Sequence, residues 1–314
     1  MIGGRPARGL ATMPIHPLAQ AYLEQRAAAG EKPFETLTVE AAREQSLRLS
    51  KLLGPGEEVA HVEDRVISGP GGDIPIRIYT PLGRGPFPVL VYFHGGGWVM
   101  GSIETADYTC RALTNAVPCL VVSVDYRLAP EHKFPAAVED AYTAANWVAT
   151  EASSFNGDAG RLAVGGVSAG GNLAAVVARL ARDRGTPRII YQLLTVPVIN
   201  FGFDTPSYQA NANGYGLTRP MMQWFWTHYL PTAADGQQPD ASPLRAPDLH
   251  SLPPAFVMTT EYDPLRDEGE AYVERLRAAG VPVTHTCYTG MVHVFLGPET
   301  TPDMSRHLRA AFGV

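Results

Sequence analysis

The chain has 314 residues, 45% hydrophobic and 18% charged, with 31 Gly and 27 Pro scattered without a repeat. That balance belongs to a globular protein with many turns, neither disordered nor fibrous. A formal net charge of −6 leaves no basic footprint for a phosphate backbone, and no apolar run reaches the roughly 18 residues of a membrane span, so nucleic acid and membrane crossing are not expected.

Met1–Pro14 carries two Arg but lacks the apolar middle of a secretory leader, so no leader is expected there. Residues 15–55 are rich in helix formers, Ala19–Ala29 and then Thr38–Leu53, parted by Pro33. Val59–Ile67 and Ile74–Tyr79 alternate apolar and polar residues around the turn Gly69–Asp73, as an antiparallel hairpin with one wet face does. Phe87–Phe93, Leu120–Val124, Leu162–Val164, Ile189–Val196 and Phe256–Thr259 read as near-continuous apolar runs, which suits strands covered on both faces. Helix-period segments follow them at Thr105–Ala116, Ala136–Thr150, Asn172–Asp183 and Asp267–Ala279, the last stopped by Gly280. Val283–Tyr288 and a helix around Asp303–Phe312 close the chain. Such alternation predicts an α/β fold with a mostly parallel sheet of about eight strands flanked by helices.

Residues 200–252 interrupt the alternation with Asn, Gly and Pro clusters around the aromatic stretch Trp224–Tyr229. An insertion of that length is commonly a lid. Residues 1–55 and 200–252 are therefore expected to form a helical cap on one domain spanning 1–314. Cys110, Cys119 and Cys287 make no CxxC pair and no Cys/His ligand spacing. They read as small apolar residues in a reducing cytoplasm, and neither metal nor cofactor is expected.

Gly166-Val167-Ser168-Ala169-Gly170 fits G-x-S-x-G. Alone the pattern also fits an idle Gly/Ser loop. Between a strand and a helix it instead places Ser168 on a sharp turn whose flanking Gly allow the tight bend, with helix N–H groups aimed at the same spot. His94-Gly95-Gly96-Gly97-Trp98 directly follows a buried strand, and its unshielded backbone N–H groups are suited to an oxyanion. Asp263 and His293 each follow a late strand, in the order acid then His, on the sheet edge that carries Ser168. Asp267, four residues beyond Asp263, is a rival acid. His285 alternates within the last strand and reads as structural.

Taken together, His94–Trp98, Asp125–Glu131, Gly166–Gly171, Asp263–Gly269 and Gly290–Phe295 resemble the motifs of the hormone-sensitive-lipase-like (bacterial family IV) esterases of the α/β-hydrolase fold. The resemblance implies a Ser168–His293–Asp263 triad, oxyanion donors at the backbone N–H groups of Gly96, Gly97 and Ala169, and a cap made in part by the early helices. Val167 departs from it, because the family usually places Asp or Thr before the nucleophile. The expected chemistry is acyl transfer from a small-molecule ester to water through Ser168, with short- to medium-chain acyl groups preferred. Trp98 and Trp224 are expected to line the substrate pocket. An amidase, peptidase or lactonase would use the same triad, whereas a receptor on this scaffold would lack His293. The last strand, Val283–Tyr288, offers an edge through which two copies could pair as a homodimer.

Overall fold

The computed structural model describes residues 14–293 and 300–314. The stretch expected to carry no leader therefore lies outside the described residues up to residue 13, as do Val294 and Phe295 at the end of the last motif. Helices α1 (Pro17–Ala28) and α2 (Val39–Ser50) come first, followed by strands β1 (His61–Gly69), β2 (Gly72–Thr80) and β3 (Phe87–Phe93). Next come α3 (Ile103–Ala116), β4 (Leu120–Val124), α4 (Ala136–Glu151), β5 (Gly157–Val167), α5 (Ala169–Arg184) and β6 (Tyr191–Thr195). The insertion carries α6 (Pro206–Ala210) and α7 (Arg219–Tyr229), and the chain ends in β7 (Ala255–Tyr262), α8 (Arg266–Ala278), β8 (Val283–Val292) and α9 (Thr301–Phe312).

The strands form one eight-stranded sheet in the order β1-β2-β4-β3-β5-β6-β7-β8. The alternating hairpin β1–β2 is antiparallel and joins β4 antiparallel. The remaining pairs are parallel: β3 to β7 come from the apolar runs, and β8 joins them at the edge. Every residue of β3 and β4 is buried, because helices cover both faces of the sheet there. Helix starts follow their sequence signals: the Thr38 hydroxyl caps α2, and Ser102 with Thr105 forms a reciprocal capping box on α3.

Two features bring the late loops together. The β7–β8 register shifts between Thr260 and Tyr262, so the pairing runs on to Tyr262 opposite Val292. Asp263 and His293, each one residue further, thus emerge side by side. Strand β8 also runs four residues past the expected Tyr288, and the backbone N–H of His16, at the start of α1, donates to the Gly290 carbonyl at 2.8 Å.

Residues 233–252 pack onto α5 and α8. Asn172 Nδ2 holds the Ala241 carbonyl at 2.9 Å, Arg182 holds that of His250 at 2.7 Å, and Arg275 holds that of Ala246 at 2.8 Å. Near the site, α2 is tied down by Arg43, which donates to the carbonyls of Val99 (2.8 Å) and Ala129 (3.0 Å) and pairs with the Glu131 carboxylate.

The bend between β5 and α5 depends on close backbone approach. A Cβ on Gly170 would lie 1.9 Å from the Phe93 carbonyl oxygen, and one on Gly166 2.4 Å from the Gly170 backbone. Backbone cannot yield as a flexible side chain can. Gly170→Ala is expected to cost about 3 kcal/mol or more and to lower Tm by roughly 6 °C, or to abolish soluble folding. A thermal melt within about 1 °C of the parent would contradict this reading of the elbow.

Candidate active site

Ser168 sits at the tip of that bend with φ 58° and ψ −116°, between the end of β5 and the first residue of α5. Its N–H donates to the Thr195 carbonyl at 2.9 Å, and its carbonyl accepts from Asn172 N at 3.0 Å and Val198 N at 3.2 Å. The backbone is thus held on both sides while the hydroxyl projects clear. A non-glycine residue at positive φ is strained, and here the surrounding hydrogen bonds over-determine it.

The hydroxyl meets His293. Ser168 Oγ lies 3.0 Å from His293 Nε2, and His293 Nδ1 lies 2.7 Å from Asp263 Oδ2. All three side chains are buried, with exposures of 7%, 6% and 1%. Asp263 is oriented by its own loop: Oδ1 accepts from Leu265 N at 2.8 Å, and its carbonyl accepts from Asn211 Nδ2 at 3.2 Å. With Oδ1 taken by a backbone donor, Oδ2 is left to fix the imidazole, so that the ring carries its proton on Nδ1 and offers Nε2 to the hydroxyl. The rival Asp267 faces elsewhere, accepting from Ser207 N at 2.7 Å and from Arg266. His285 Nε2 pairs with Thr259 Oγ1 at 2.8 Å within the sheet, a structural role.

Facing Ser168 is the Gly-rich loop. Gly96 (φ +114°) and Gly97 (φ +61°) take backbone conformations that suit glycine, and a Cβ on them would strike the Met100 carbonyl at 2.3 Å and the Phe225 ring at 2.2 Å. The Gly96 carbonyl turns away to accept from Val99 N and Met100 N at 3.1 and 2.9 Å. Among the described residues, no acceptor takes the backbone N–H of Gly96, Gly97 or Ala169. These N–H groups, held by a rigid frame beside the Ser168 hydroxyl, are left unused by the described residues. Buried His94 anchors the loop. Its ring stacks on Tyr126 at 4.2 Å, its Nδ1 lies 2.8 Å from the Gly95 carbonyl, and the Tyr126 hydroxyl donates to its carbonyl at 2.8 Å. Burial pushes the His94 imidazole below its ordinary pKa, so it is a neutral support.

Above these groups opens a mostly apolar cavity of about 470 Å³, lined by Ser168, His293, the Gly-rich loop, α1, α2 and the stretch from Gly216 to Phe225. Its apolar wall includes Tyr92, Val167, Leu49, Leu217, Met221 and Phe225. The two tryptophans expected there are elsewhere, which corrects the sequence reading. Trp98 is fully buried in an aromatic stack, 4.1 Å from the Tyr229 ring and 4.7 Å from that of Trp226. Trp224 is half-buried against Phe225 and His228 and does not line the cavity. For Trp224 the reason is helical phase. Met221 and Phe225, four apart, share the cavity-facing side of α7, whereas Met222, Trp226 and Tyr229 share the side packed on the core. That i, i+4 spacing was the signal that aromatic content alone obscured. The α1 contribution (Leu18, Ala21, Tyr22, Gln25, Arg26) carried no motif by which to find it.

Residues 90–297 match the family model described as the alpha/beta hydrolase fold. Over 249 residues the chain is 46% identical to the carboxylic ester hydrolase LipN of Mycobacterium tuberculosis, covering 77% of this chain and 66% of that protein. It is 43% identical over 265 residues to the carboxylesterase NlhH of the same organism, covering 82% of each. Among solved structures it resembles a hyperthermophilic esterase of the archaeon Pyrobaculum calidifontis, with a TM-score of 0.89 and 44% identity over 96% of this chain and 99% of that one.

Proposed function

We propose that this chain, which belongs to the α/β-hydrolase family of hormone-sensitive-lipase-like esterases and is an ester hydrolase, cleaves carboxylic esters by transferring the acyl group to Ser168. The observation that carries the reading is the unbroken hydrogen-bonded series Asp263–His293–Ser168, at 2.7 and 3.0 Å, at the floor of an apolar cavity. His293 takes the Ser168 proton through Nε2 as the hydroxyl attacks the carbonyl, then returns it to the departing alcohol. A water activated by the same nitrogen releases the acid. Asp263 holds the imidazole in the productive tautomer and stabilises the imidazolium. The backbone N–H groups of Gly96, Gly97 and Ala169 receive the tetrahedral oxyanion, each such donor being worth about 3–4 kcal/mol.

The cavity supports a substrate with a short- to medium-chain acyl group. Its volume, about 470 Å³, falls in the lower half of the usual range for small-molecule sites. Initial rates on p-nitrophenyl esters from acetate to palmitate test this. The maximum is expected between butyrate and octanoate, with palmitate slow. Phe225→Ala is expected to move the maximum to longer chains, and Trp224→Ala to leave it in place. Palmitate turnover faster than butyrate in the parent enzyme would refute the size reading.

In this reading the cap is drawn from residues 1–55 and 200–252, with α1, α2 and α7 beside the cavity, over a single catalytic domain. Three free thiols, two of them buried, support residence in a reducing compartment such as the cytoplasm. No helix among the described residues is long and apolar enough to cross a membrane. Strand β8 lies at the edge of the sheet, which supports pairing with a second copy, readable by light scattering.

A further inference from the structure

Outside the reacting groups, the most unusual buried side chain is Glu268, in the first turn of α8 and only 2% exposed. It neither lines the cavity nor touches His293. Its Oε1 accepts from the backbone N–H groups of Ile199 (2.7 Å) and Asn200 (3.2 Å), while its Oε2 has no partner among the described residues. A leucine would fill such a place without burying an unpaired oxygen, so the position calls for an explanation.

The gripped segment supplies one. The peptide joining Val198 to Ile199 gives its N–H to Glu268 and receives Asn172 Nδ2 on its carbonyl at 2.9 Å, so α8 and α5 hold it from opposite sides. One residue earlier, Val198 N donates to the Ser168 carbonyl at 3.2 Å. On the other side, Glu268 follows closely on Leu265, whose N–H holds Asp263 Oδ1 at 2.8 Å. A single side chain therefore connects the loop bearing the acid to the segment underpinning the nucleophile.

We infer that Glu268 is a positioning residue that sets the placement of the Ser168 arm relative to the Asp263 arm by gripping the backbone at residues 199 and 200. The inference rests on the triad reading above. What the position needs is a hydrogen-bond acceptor of this length. Two backbone N–H groups on one oxygen call for an acceptor and not for a charge, and burial, with Asp263 and Asp267 nearby, pushes the Glu268 carboxyl above its usual range. An amide oxygen would serve equally.

The test is kcat and KM on p-nitrophenyl butyrate for Glu268→Gln, Glu268→Ala and Glu268→Asp in the full chain, beside the parent and Ser168→Ala. Thermal melts and titration of competent sites with a reactive phosphonate ester accompany the kinetics. Glu268→Gln is expected to keep kcat within about threefold of the parent. Glu268→Ala is expected to lose about 10–100-fold in kcat, as a displacement near 1 Å of reacting groups does, with KM within about threefold because the cavity wall is untouched. If Glu268→Ala does not fold, Glu268→Asp, one methylene too short to span the gap, is expected to show the same split. Parent-like kcat in the Ala or Asp variant, equal loss in Gln and Ala, or a joint shift of kcat and KM would overturn the inference. Turnover surviving in Ser168→Ala would instead remove the nucleophile reading, and this inference with it.

Discussion

Ser168→Ala is expected to reduce ester turnover by about five orders of magnitude or more, on the scale of nucleophile removal in enzymes whose reacting groups act as a unit. Ser168 Oγ is the group His293 Nε2 reaches, at 3.0 Å, and alanine leaves the imidazole with nothing to deprotonate except water. The elbow should survive, because the hydrogen bonds that hold it run through the Ser168 backbone to Thr195, Asn172 and Val198. Ser168→Gly separates function from strain. It too should be inactive, but at φ 58° glycine relieves a strain of about 1–3 kcal/mol, partly offset by the greater freedom of glycine in the unfolded chain. The Gly variant should therefore melt above the Ala variant by a few degrees. Residual turnover by Ser168→Ala within tenfold of the parent would remove Ser168 as nucleophile, and a Gly variant melting below the Ala variant would deny the strain.

Asp263→Asn is expected to lower kcat by about 10⁴-fold while changing size and shape very little. The direction follows from the backbone. Leu265 N–H occupies Oδ1 at 2.8 Å, so the amide of an Asn here must place its oxygen at that site and its NH₂ toward His293. A donor facing Nδ1 obliges the ring to carry its proton on Nε2, where it meets the Ser168 hydroxyl as a donor and cannot act as base. Asp267→Asn provides the control. That carboxylate serves Ser207 and Arg266, and its loss should leave kcat within about threefold. Were the two results exchanged, the acid would be Asp267.

The order of strands and helices was legible because each segment carries its own period. Continuous apolar runs became strands covered on both faces, and the alternating pair became the antiparallel hairpin at the edge. Ser168 was legible because only glycine permits the approach of residues 166 and 170 to neighbouring backbone. The cavity lining was not. Trp98 and Trp224 looked like pocket residues by type, but a tryptophan joins whichever layer its helix or loop turns it toward, and here that was an aromatic stack and a half-buried flank. Glu268 and Asn211 were equally silent, since each acts on backbone 50 or more residues away in the chain.

Residue type and local spacing were enough to specify the class of fold, the sharp turn that exposes Ser168, the glycine loop opposite it and the two late loops that bear Asp263 and His293. Tertiary structure alone decided how those parts meet. The register shift in β7–β8 sets Asp263 beside His293, the phase of α7 gives the cavity Phe225 and withholds Trp224, and Glu268, just beyond the Asp263 loop, holds the backbone at residue 199 beneath Ser168. These are relations between segments far apart in the chain, governed by packing and by the pairing of buried polar groups, and no local pattern of side chains records them.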